Sequence, residues 1–255
     1  MTRRPWTRDE LILAMNLYCQ LPFGRMHKGT PEIIALAVAI DRTPSSVAMK
    51  LSNLASLDEA HQQRGVKGLS GAAAADRDIW DEFHADWDRL AVESERLRES
   101  LRLPSEPPVE ENAANGPFTG PTDQQRIVNV RRAQRFFRRA VLASFNNCCC
   151  VSGIQIPELL IASHIVPWRE SIEHRANPRN GLCLSRLHDG AFDQGLITID
   201  EEMRLVISKE LADHFTNGVL HACFKIFEGQ VISLPRRFRP DKALLQKHRE
   251  TLFRG

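Results

Sequence analysis

Between Ala162 and Gly195 His164, Asn180 and His188 stand in order, each in or beside a short apolar run. His164 lies in Ala162-Ser163-His164-Ile165-Val166-Pro167-Trp168, Asn180 heads Asn180-Gly181-Leu182-Cys183-Leu184-Ser185, and His188 precedes Phe192-Asp193. Short apolar runs bounded by Pro, Asn and Gly read as strands rather than helices. The segment therefore predicts a strand delivering His164, a turn holding Asn180, a second strand, and a helix presenting His188. This unit limits the fold to α+β in its own part of the chain. A neutral imidazole near pH 7 suits activation of water. Imidazole, amide and carboxylate donors together suit one divalent cation. A cation beside a histidine base is the equipment for phosphodiester hydrolysis.

The remaining chain divides at a proline-rich stretch. Pro104, Pro107, Pro108, Pro117 and Pro121, with Gly116, Gly120 and Glu110-Glu111, predict an extended linker over 104–121. Residues 1–103 and 122–255 are then the expected domains. At 42% hydrophobic the chain can bury a core, and its net charge of +2 is unevenly spread. Residues 1–100 hold 13 Lys+Arg against 15 Asp+Glu, whereas residues 121–255 hold 20 against 14. The basic excess lies with the His-Asn-His segment, the sign a polyanion requires. No apolar run approaches the length of a membrane helix, and Met-Thr-Arg-Arg-Pro-Trp lacks the apolar stretch of a signal peptide. A cytoplasmic location without membrane contact is expected. The six cysteines then read as free thiols. Adjacent Cys148-Cys149-Cys150 with Cys183 lack the spaced pairs of a zinc site and read as small buried side chains.

The motif resembles the HNH nuclease family, the ββα-metal fold, and within it the branch carrying A-H-I-x-P-W, N-G-L-x-L and F-D-x-G. Here those words are Ala162–Trp168, Asn180–Leu184 and Phe192–Gly195, and Cys149 with Ser152-Gly153 matches a turn before the first strand. The likeness extends from Arg126 to about Phe253. It implies a metal-dependent endonuclease leaving a 5′-phosphate and a 3′-hydroxyl. It implies His164 as the base and His188 as a metal ligand. Asn180 is implied as a ligand or a brace for the His-bearing loop, and Asp193 as a second ligand or a brace. Magnesium is the first expectation, with manganese, nickel and zinc as alternatives. One departure stands out: many members place Asp or His immediately before the base, and this chain has Ser163. Asp189, Asp193 and His174 are candidates to supply the missing ligand.

The N-terminal part predicts helices. Thr7 and Glu10 form a capping box, Thr30-Pro31 opens a second helix to about Ile40, and Thr43-Pro44 opens a third with Val47, Leu51 and Leu54 on one face. The words W-T-x-x-E at 6–10 and R-T-P-S-S-V-x-x-K-L at 42–51 resemble Myb-like or helix-turn-helix modules. That likeness implies a third helix in the major groove of DNA, with Ser45, Ser46, Met49, Lys50 and Asn53 on its outer face. The alternative is a helical bundle for protein contacts. One long helix is expected over Asp76–Leu103, with Ile79, Trp80, Phe83, Trp87 and Leu90 inward. A further helix over Gln124–Phe145 carries Arg131, Arg132, Arg135, Arg138 and Arg139, a basic ridge fit for phosphate contact. Beyond the motif, strand pairs are expected at 196–199 with 205–208 and at 225–228 with 230–234, then a closing helix over 240–253.

The fold expected is α+β: a helical N-terminal module and a C-terminal ββα-metal domain with added strands and helices. The expected partner is duplex DNA. A homodimer is expected because one such motif cuts one strand at a time. Restriction or defence, possibly modification-dependent, is the leading role. A non-catalytic DNA-binding regulator and a nuclease acting on RNA or single strands are the alternatives.

Overall fold

The computed structural model describes residues 4–58, 73–104 and 121–255, so most of the proline-rich stretch lies outside the described residues. The chain forms two compact units, 1–140 and 141–255. The architecture is α+β, a helical N-terminal part followed by short antiparallel strands with helices. Among the described residues no helix is long and apolar enough to cross a membrane.

The first unit is built around α1 (Arg8–Gln20), whose residues from Glu10 to Cys19 are all buried. The capping box forms as expected: Thr7 Oγ1 accepts from the Glu10 amide, and the Glu10 carboxylate accepts from the Thr7 amide at 2.9 Å. Helices α2 (Pro31–Ala39) and α3 (Pro44–Ala55) start at the predicted prolines, and Val47, Leu51 and Leu54 are fully buried. Lys50 does not lie on the outer face of α3. Its ammonium is buried, pairs with the fully buried Asp76 and sits 5.0 Å from the Trp6 ring. A charge taken out of water needs such a partner. Asn53 is half-buried, while Ser45 and Met49 are exposed.

The single helix expected over Asp76–Leu103 is two, α4 (Ala74–Ala85) and α5 (Trp87–Ser100). Asp86 leaves helical geometry at φ −152° and its carboxylate accepts from the Arg89 amide at 2.9 Å. An Asp that caps a new helix competes with continuation of the old one. The apolar stripe nonetheless forms: Ile79, Phe83, Trp87 and Leu90 are buried. Helix α6 (Pro121–Ser144) belongs to this unit through Ala140. Its Phe136 packs on Phe83 and Trp87 at ring separations of 6.3 and 6.1 Å.

The second unit holds the motif. Strands β1 (Leu160–His164) and β2 (Gly181–Ser185) pair antiparallel from Leu160↔Ser185 to His164↔Gly181, and α7 (Arg186–Asp193) follows at once. Ser185 turns strand into helix by capping α7. Strands β3 (Ile197–Ile199) and β4 (Leu205–Ile207) form the expected second pair. The third expected pair does not form. Lys225–Phe227 is a 3-10 turn, and Val231 makes one isolated bridge to Arg204. The turn directly follows α9 (Gly218–Cys223), whose C-cap is Phe224; α8 (Lys209–Ala212) precedes it. The closing helix is α10 (Lys242–Thr251). His248 on α10 stacks on Phe192 at 3.8 Å and hydrogen-bonds Thr198 Oγ1 and the Phe192 carbonyl. Gly195, at φ +69°, lets this closure happen: a Cβ there would lie 2.0 Å from the Leu252 carbonyl oxygen.

Candidate active site

His164 ends β1, where the chain leaves the hairpin. Its Nε2 lies 3.0 Å from the Arg175 carbonyl oxygen. A carbonyl only accepts, so Nε2 carries the proton and Nδ1 holds the basic lone pair. The ring meets Trp168 edge-on at 5.5 Å. Burial pushes the imidazole down to about 4, against a smaller upward pull from the Arg175 carbonyl, so the ring is neutral at physiological pH.

Asn180 is fully buried, and its amide is used by the loop backbone. Oδ1 accepts from the Val166 amide at 2.9 Å, and Nδ2 donates to the Val166 and His174 carbonyls at 3.1 and 3.2 Å. The side chain thus closes the loop that carries Trp168 and Arg175. His188 is buried and engaged at both nitrogens. Nδ1 lies 2.7 Å from Ser185 Oγ and 3.8 Å from Cys149 Sγ; Nε2 lies 2.9 Å from the Cys223 carbonyl oxygen. Phe224 and Phe227 flank the ring. In this arrangement His188 ties β2, α7 and the α9 end together.

Cys149 joins that knot. Its Sγ accepts from the Ser185 amide at 3.2 Å and the Ser152 amide at 3.5 Å. Burial pushes the thiol up, but the hydrogen bonds from His188 and Ser152 outweigh it and bring the thiol down to about 6. The predicted turn is present, with Gly153 at φ +74° and its amide bonded to the Cys149 carbonyl. Cys149, Cys150 and Cys183 are buried free thiols.

Two carboxylates stand on the helix beside this hairpin. Asp189 and Asp193 are four residues apart on α7, hence on one face, and neither forms an ion pair among the described residues. Burial raises Asp189, with the Ser163 hydroxyl and the charge of Arg186 offsetting part of the effect. Partial desolvation, then the charge of Asp189, pushes Asp193 up to about 6, although Asp193 is solvent-exposed overall. Ser163 is buried, and its Oγ turns toward Asp189 without reaching good hydrogen-bond geometry. Two under-neutralised carboxylates and an unsatisfied hydroxyl are oxygen donors of the kind a hard divalent cation takes. Among the described residues no group of three His, Cys, Asp or Glu side chains is placed to hold a metal. A cation here would complete its shell with water or substrate oxygen.

The arginines of α6 are spread differently from the expected open ridge. Arg132 and Arg135 both pair with Glu99, at 2.6 and 2.7 Å, and Arg139 reaches Glu95 at 3.9 Å and Gln20 at 3.3 Å. Arg138 is half-buried and Arg131 is exposed. Two contributors escaped the sequence reading: the Arg175 carbonyl and the Trp168 ring around His164. A lone Trp following Pro in a short-residue loop was the available signal.

Residues 149–200 match the model of a family described as HNH endonuclease, a span that runs from Cys149 through β1, β2, α7 and β3. No curated protein matched the chain. The family match supports a nuclease-type function, and HNH nucleases generally use a divalent metal ion.

Proposed function

We propose that this chain is a divalent-metal-dependent endonuclease that hydrolyses phosphodiester bonds of duplex DNA, of restriction or defence type. The observation that carries the reading is His164. It stands at the mouth of the ββα unit as a neutral imidazole whose Nε2–H is committed to a backbone carbonyl. We assign its Nδ1 lone pair the role of taking a proton from the attacking water. Asn180 and the Arg175 carbonyl hold the ring and its loop still, which keeps the attack geometry narrow. We assign the metal to Asp189 and Asp193 in place of His188 and Asn180, whose polar atoms are already used. Bound there, a cation such as Mg²⁺ or Mn²⁺ supplies positive charge for the phosphoryl oxygens and the leaving 3′-oxygen.

The N-terminal helices are the proposed DNA-positioning part. Arg131, like Arg126 an exposed arginine of α6, is open for phosphate contact, with Arg138 on the same ridge; Arg132, Arg135 and Arg139 contribute mainly by holding α6 in place. Cutting both strands calls for two sites, hence a homodimer. Ser163 favours one rival, a DNA-binding protein that keeps this fold without cutting, because a hydroxyl stands where a charged ligand is usual.

The test is cleavage of supercoiled plasmid with Mg²⁺, Mn²⁺, Ni²⁺ and Zn²⁺ in separate reactions. His164→Ala is expected to lower the rate by about 10²–10⁴-fold while leaving thermal unfolding and DNA binding near wild type. Binding without cleavage in every metal would favour the rival. Faster cutting of single-stranded DNA or RNA than of plasmid would move the substrate assignment.

A further inference from the structure

We propose that Arg175 and Trp168 form a positioning clamp for His164, an inference that rests on the nuclease reading of that histidine. Four contacts close on one another within the 165–180 loop. The Arg175 carbonyl accepts from His164 Nε2 at 3.0 Å. The Arg175 side chain donates from Nε to the Trp168 carbonyl at 2.9 Å. Its guanidinium lies 5.4 Å from the Trp168 ring centre. The Trp168 ring in turn meets the His164 ring edge-on at 5.5 Å. The residue whose main chain holds the imidazole therefore has its side chain pinned to the residue whose ring walls the imidazole.

The clamp answers a mechanical problem. The carbonyl of Arg175 belongs to no strand ladder, and irregular backbone of this kind is the mobile part of a fold. Asn180 ties the loop at Val166 and His174, which leaves the carbonyl one residue beyond the last tie. The guanidinium supplies that tie, because a planar group can donate in its plane and stack on an aromatic face at once. An ammonium cannot do both. Arg175 thus acts through His164 without touching the reacting atoms.

The competing role for Arg175 is direct contact with a DNA phosphate, and the two roles differ in measurable ways. Full-length protein labelled with ¹⁵N-histidine would be examined by long-range ¹H–¹⁵N NMR, which reads the tautomer of His164 with neither metal nor DNA present. Wild type is expected to show a single Nε2–H tautomer. Arg175→Ala and Trp168→Ala are expected to give mixed tautomers, and Trp168→Phe, which keeps a ring, to retain the single form. In plasmid cleavage, Arg175→Ala should lower kcat by about tenfold to a hundredfold with KM within about twofold of wild type. A single Nε2–H tautomer in both alanine variants would overturn the clamp. So would a raised KM with unchanged kcat, the mark of a phosphate contact. Should Arg175→Ala fail to fold, Arg175→Lys decides: wild-type tautomer and kcat in that variant overturn the proposal. If the wild type cuts nothing, the nuclease reading falls while the tautomer measurement still judges the clamp.

Discussion

Carboxylates are handled differently in the two units. In the N-terminal unit three buried carboxylates have cations, Asp76 with Lys50, Glu10 with Arg42 and Arg4, and Glu95 with Arg98 and Arg139, and a fourth, Asp58, accepts from the Tyr18 hydroxyl. The ligation of Glu10 by Arg42 and its neighbours overcomes the upward push of burial and holds that carboxyl below the usual range. In the C-terminal unit Asp189 and Asp193 are raised, and no ion pair forms at either among the described residues. A charge that the fold neutralises is structural. A carboxylate whose ionisation the fold disfavours is the kind of group for which we propose a cation as partner.

The largest test of that contrast is Lys50→Ala, which strips Asp76 of its partner. Loss of one member of a buried pair is expected to cost about 3–5 kcal/mol of stability, read from denaturant unfolding. A cost near zero would show that Asp76 is no more neutralised than Asp193.

Asp193→Asn probes the other side. The native carboxyl binds its proton more tightly than the unfolded one, so its ionisation is disfavoured in the fold. Relative to the variant, wild type should therefore lose stability as pH rises from the ordinary 3.8 to about 6. Above that window in EDTA the variant is expected to have the higher Tm. Added Mg²⁺ or Mn²⁺ should raise the Tm of wild type and not of the variant. Equal metal responses would remove Asp193 from the site.

The smallest effect belongs to Glu99→Gln. Glu99 is 37% exposed in its side chain and pairs with Arg132 and Arg135, so water already screens the pair. The expected cost is below about 1 kcal/mol, with weaker hold on α6 and no loss of affinity for duplex DNA in a binding titration. A fall in DNA affinity would mean that the Glu99 pairs shape the DNA-contacting surface after all.

Features that depend on neighbouring residues in the chain were legible beforehand. The Thr7–Glu10 box, the starts at Pro31 and Pro44, the β1–β2–α7 order and the pair β3–β4 all follow from caps, prolines and short apolar runs. Features that depend on distant partners were not. Lys50 shares the 47/51/54 face by spacing, and only its charge suggested an outward position; buried Asp76 supplies the partner that lets it stay inside. The α6 arginines form a ridge in projection, but Glu95 and Glu99 lie opposite three of them. Asp86 could equally continue or cap a helix, and the packing of Trp87 and Phe83 onto Phe136 accompanies the break. Lys225–Leu234 carries strand-like residues but forms only a 3-10 turn and an isolated bridge from Val231 to Arg204, flanked by hydrogen bonds of Gly229, Gln230 and Ile232 to Met203 and Leu205.

By itself the sequence pointed to the kind of unit present and to His164 as the proposed base. The order of His164, Asn180 and His188 within short apolar runs admits little besides a hairpin and a helix, since strand alternation and helix caps act over a few residues. The tertiary structure alone decided what each polar group does. A donor or acceptor buried away from water must be used by whatever lies nearest. For Asn180 that is the Val166 and His174 backbone, and for His188 it is Ser185 and Cys223. Asp189 meets the Ser163 hydroxyl and the charge of Arg186, and that neighbourhood exists only once α7 is laid beside β1.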